Sequence, residues 1–135
     1  MAYENLGKVV PLPVASALVQ FTMVTLTRTV GLAPVVVQSA NDGPVTGVLQ
    51  NTPLAGSASG DADAVADVMI GPGITKVKSG GVFAVGDFLE SDASGQAIFG
   101  ATGGHIVGQA VEASAASGNI VTMLFFGAGG QSTAP

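Results

Sequence analysis

Apolar residues in this chain come in short runs, each closed by Gly, Asp, Asn or Ser, and no segment sustains a 3.6-residue apolar stripe. That pattern predicts brief strands joined by tight turns, at residues 18–27, 34–38, 45–50, 64–70, 74–78, 82–85, 88–91, 96–99, 105–112 and 119–126. Within 18–27, Val19, Phe21 and Met23 share one face before Val24 and Leu26 take over on the other. The phase change predicts a bulge or a strand covered on both sides. The connections are turn chemistry: Ser39-Ala40-Asn41-Asp42-Gly43, Gly71-Pro72-Gly73 and Asp92-Ala93-Ser94-Gly95. Residues 113–118 suit a single helical turn ended by Gly118 in a left-handed conformation. In the last strand both faces are apolar, with Ile120, Leu124 and Phe126 on one and Val121, Met123 and Phe125 on the other. A core on one side and a second covering layer, either the chain's own loops or another subunit, would account for it. No repeat of solenoid period is legible.

The expected fold is therefore all-β, a small antiparallel β-barrel or sandwich. Residues 18–126 form its body. Residues 1–17 read as an extended N-terminal arm, because Pro11 and Pro13 fix φ and push Val10 and Leu12 toward extended conformations. Residues 127–135 read as a flexible tail by composition.

Composition sharpens this. Of 135 residues only 10% are charged, against about 25% in typical soluble domains. A folded chain of this mass exposes roughly 6,400 Å², about one charge per 500 Å². So sparse a surface fits a protein covered by other subunits. The net charge is −5, and Lys8, Arg28, Lys76 and Lys78 form no basic footprint for phosphates, so no nucleic-acid partner is expected. Pro11 and Pro13 interrupt the apolar stretch 9–26, and Gln20, Thr22 and Thr25 within it and Thr27 after it are too polar, so neither a targeting helix nor a membrane span is expected. With no cysteine, stability must come from packing and assembly.

Candidate chemistry is thin. His105 is the sole histidine, and no G-x-S-x-G turn offers it a serine. Asp61, Asp63 and Asp67 begin like a calcium loop, but Ala66 stands where Gly is needed and Pro72 where the closing Glu belongs. Asp87 and Glu90 fall on opposite strand faces and, with Asp92, read as turn-flanking, solubilising acids. The Gly-Gly pairs lack a phosphate-loop ending and read as turns. No metal, cofactor or catalytic site is expected, and an enzyme is the weakest reading.

Three segments carry a resemblance: GVLQNTPLAG at 47–56, the GG-x-x-x-x-GD-x-x-x-SD-x-x-G-x-A run at 80–97, and the VG-x-A-x-E run that closes on Gly118. In that order they resemble the capsid decoration, or cement, proteins of tailed bacteriophages. The resemblance implies a β-barrel-like domain on the outer surface of the virion head, a homotrimer bridging neighbouring major capsid protein subunits and stabilising the expanded shell. Other classes remain: a tail or fibre adaptor, or a small-molecule-binding β-barrel, which predicts a monomer with an interior cavity. The residues expected at an interface are Val9, Val10, Leu12 and Val14 of the arm, apolar with no partner of their own, and Val121, Met123 and Phe125 of the last strand.

Overall fold

The computed structural model describes residues 8–14, 17–27, 34–41, 43–52, 65–101, 104–127 and 132–133. These contain strands and turns and no helix. β1 (Val9–Pro13), β2 (Met23–Thr27), β3 (Val35–Gln38), β4 (Gly47–Leu49) and β5 (Val65–Met69) form one antiparallel sheet in the order β1-β5-β4-β2-β3. β6 (Gly73–Lys78), β7 (Phe88–Ser91), β8 (Ala97–Phe99), β10 (Gly108–Ala110) and β11 (Ile120–Phe125) form a second, in the order β6-β11-β10-β7-β8. β9 (His105–Ile106) pairs with β12 (Ser132–Thr133).

The second sheet repeats the first. Taken as first, second, third, fourth and fifth strand, both sheets have the same order, and the registers coincide residue for residue. Val24 faces Gly47 and Gln38, as Leu89 faces Gly108 and Phe99. Val48 faces Met69, as Gln109 faces Leu124. Single parallel bridges at equivalent places, Val14–Val36 and Ser79–Ala97, bring the outer strands of each sheet together. One bridge is not a ladder, so each sheet is curled rather than closed, and the two pack as a sandwich. Even the kink before the second strand recurs: Phe21 (φ 65°) and Gly86 (φ 91°) donate their N–H to Leu49 O and Ala110 O, each at 2.8 Å.

The cores follow the same plan. Val14, Leu18, Val24, Val36, Leu49, Ala66 and Val68 fill the first sheet, with Leu12 and Ile70 against them. Their counterparts Phe83, Leu89, Ala97, Ala110, Val121 and Met123, with Val77 and Phe125, fill the second. Larger residues in one half answer smaller ones in the other: Phe83 for Leu18 beside Ala97 for Val36. Such exchanges keep volume while changing identity.

Several expectations change here. Residues 9–13 are extended, but they are not a free arm: β1 pairs with β5 from Val9–Met69 to Pro13–Val65, and Val14 is buried. The prolines permit this. Ile70 N donates to Lys8 O at 2.8 Å, so donors of the same parity, on Val10 and Leu12, point toward β5. The N–H groups missing at Pro11 and Pro13 then face the open edge, where a strand tolerates proline. Of 18–27 only Met23–Thr27 is a strand, and Met23 and Val24 are both fully buried, so it is covered on both sides. Residues 82–85 form no strand beyond the Phe83–Ser114 bridge. The 105–112 segment divides into β9 and β10. Residues 113–118 turn without a helix, ending at Gly118 with φ 92°. Within the expected tail, Ser132–Thr133 is paired with β9.

Candidate interaction surface

The two halves meet through one face of the first and one side of the second. Met23 and Val48, on the outer face of the first sheet, and Val45 beside them join the second half's core cluster. Polar contacts frame this joint. Met23 N donates to Gly95 O at 2.7 Å, Lys78 N to Phe21 O at 2.7 Å and Gln38 Nε2 to Ala93 O at 2.8 Å. Gln50 Nε2 donates to Thr75 Oγ1 at 2.9 Å. The 92–95 turn is shaped for the approach. Asp92 Oδ1 accepts from Ser94 N and Gln96 N, and Gly95 (φ 70°) lies where a Cβ would stand 2.7 Å from Met23 O.

The equivalent outer face of the second half is open. Met23, Val48 and Met69 are fully buried, whereas their counterparts Phe88, Gln109 and Leu124 are 52% exposed, half-buried and 37% exposed. Ile74 pairs with Leu124 and continues the row across β6. Phe126 leans on Phe88, ring centroids 6.4 Å apart and tilted by 58°, and Phe99 at the sheet edge is 55% exposed. Beside this apolar row Glu112 accepts a hydrogen bond from Thr122 Oγ1 and lies 4.0 Å from Lys76 Nζ.

The side of the first half that corresponds to the joint is open too. Val77 and Phe125 are fully buried, yet their counterparts Leu12 and Ile70 are only partly so, and Val10 is half-buried. Among the described residues there is thus an uncovered apolar face on the second half and an uncovered core edge on the first.

The residues expected at an interface divide accordingly. Val9, Val10 and Leu12 keep exposed or half-exposed surface at the open edge, while Val14 is in the core. Val121, Met123 and Phe125 are interior, and the outward face of β11 belongs to Ile120, Thr122 and Leu124. Two apolar faces gave the sequence no means of saying which was inside. Phe88 and Phe99 were missed. For Phe88 the signal was an aromatic residue beside Leu89, which already fills the core; Phe99 lies opposite Leu89 at the sheet edge and offered none.

The acidic residues do structural work. Asp87 Oδ2 accepts from Ala84 N at 2.8 Å across a turn. Glu90 is not a solubilising surface acid: it is buried against Gly104. His105 opens β9, half-buried. Asp61 and Asp63 lie outside the described residues, and Asp67 is exposed on β5.

This fold has a relative among solved structures. The N base of the head fibre protein gp8.5 of bacteriophage phi29 superposes with a TM-score of 0.66 over 87% of this chain and 92% of that one, at 17% sequence identity. The two share a fold. No protein-family model matches the chain, and a search of curated proteins finds no match.

Proposed function

We propose that this chain is a structural component of a phage virion, one that works by surface contact and not by catalysis. The observation that carries the reading is the fold shared across nearly the full length of both chains with a phage head fibre base. The three motifs at 47–56, 80–97 and 107–118 point the same way, since they resemble capsid decoration proteins. The finer reading is a decoration protein on the outer surface of the head, contacting the major capsid protein and itself, as a trimer. A trimer engages several shell subunits together, and the effective concentration of the second and third contacts turns weak individual ones into tight occupancy. A surface with few charges and with Phe88 and Phe99 exposed suits that role.

Titrating the purified protein onto expanded heads that lack it, followed by cosedimentation, tests this. Saturable uptake and greater resistance of the heads to heat are expected. Heads that take up no protein at any concentration would sink the capsid reading, and uptake by isolated tails instead would support an adaptor at that site.

A further inference from the structure

We infer that copies of this chain associate head to tail, the open outer face of the second half seating on the open side of another copy's first half. The template is inside the molecule. The joint between the halves is heterologous: a face of the first sheet caps the side of the second, burying Met23 and Val48 against a core that includes Val77. Because the halves are equivalent strand by strand, each joint leaves one unused face and one unused side. Both are found uncovered. Phe88 and Leu124 lie exposed where Met23 and Met69 are buried, and Leu12 is part-exposed where Val77 is buried.

Carrying the joint from one copy to the next brings Phe88 of one copy to Leu12 of its neighbour, as Met23 meets the second core. It also sets Val111 of one copy beside Val10 of the next, in place of the Gln50–Thr75 hydrogen bond. A polar pair becomes an apolar one, suited to a contact made between molecules. One main-chain bond is not carried over. Lys78 N donates to Phe21 O within the chain, but the position equivalent to Lys78 is Pro13, which has no N–H. The copy-to-copy contact therefore has one main-chain bond fewer than the internal one and is weaker. A heterologous contact either closes into a ring or runs on as a filament. Closed into the trimer put forward above, first and second halves would alternate around the ring and each copy would supply two quasi-equivalent units. This rests on the self-association put forward above and not on capsid binding.

The test uses the purified 135-residue chain, which has no cysteine. Val10→Cys and Val111→Cys variants are prepared separately, then mixed and oxidised. Disulfide-linked dimers are expected only in the mixture, and the double variant should give closed covalent oligomers of a single mass. Phe88→Asp should shift the sedimenting species toward monomer by at least tenfold in midpoint concentration. Val82→Asp, on a turn residue 70% exposed, should leave it unchanged. Dimers from either single variant alone would mean a two-fold contact and overturn the proposal. So would a native chain that oligomerises with no mixed disulfide, which leaves self-association standing, or a native chain that stays monomeric, which removes both.

Discussion

Two glycines show how tightly single side chains are constrained by the repeated plan. Gly47 and Gly108 occupy the same place in the two sheets. A Cβ at Gly47 would run into Met69 O and the Val68 side chain, and at Gly108 it would stand 2.5 Å from Leu124 O and 2.8 Å from Met123 Sδ. Backbone carbonyls in a ladder cannot yield cheaply, so Gly47→Ala and Gly108→Ala should each cost about 1–3 kcal/mol by overpacking. Urea denaturation measures this, and a neutral result at either site would show that the strands can part. Gly86 is a different case. No atom lies within 4 Å of its absent Cβ, but its φ of 91° is unfavourable for any side chain. Gly86→Ala should therefore cost about 1–2 kcal/mol from backbone conformation alone. Phe21 holds the equivalent conformation with a full side chain.

Among the elements, β1 carries the sharpest consequence. Removing residues 1–14 takes away a strand that lines the first core, so the truncated chain should lose its cooperative unfolding transition rather than merely release a partner. Circular dichroism on heating would show it, and a truncation that melts like the intact chain would contradict the pairing of β1 with β5. Much of this architecture was legible beforehand: β3 to β8 and β11 fall on apolar runs bounded by Gly, Pro, Asn or Asp, and the 92–95 turn is where its residues placed it. The status of β1 was not, because Pro11 and Pro13 signal an arm as readily as an edge strand until the partner's register is known. Nor was the duplication. Its core pairs, such as Leu49 with Ala110 and Ala66 with Val121, differ in size and identity and only offset one another, and the first half's second and fourth strands are followed by longer connections. The candidate surface was hardest to see. Strand parity separates two faces but cannot rank them when both are apolar.

For the chain taken together, the shared core binds the halves into one cooperative unit. Met23, Val45 and Val48 belong to the second half's core cluster, so the second half is incomplete without the first. Calorimetry should give a single two-state transition, and Met23→Ala should lower it by about 2–5 kcal/mol of stability without splitting it in two. Two resolved transitions would mean that the halves unfold separately. On the proposed reading, the faces left open meet other copies and a viral shell. The most direct measurement is a density map of the intact phage particle at residue resolution. Two-lobed density of this chain is expected on the outside of the head, touching the major capsid protein and further copies of itself. Particles in which the chain is confined to the tail, or from which it is missing altogether, would contradict it.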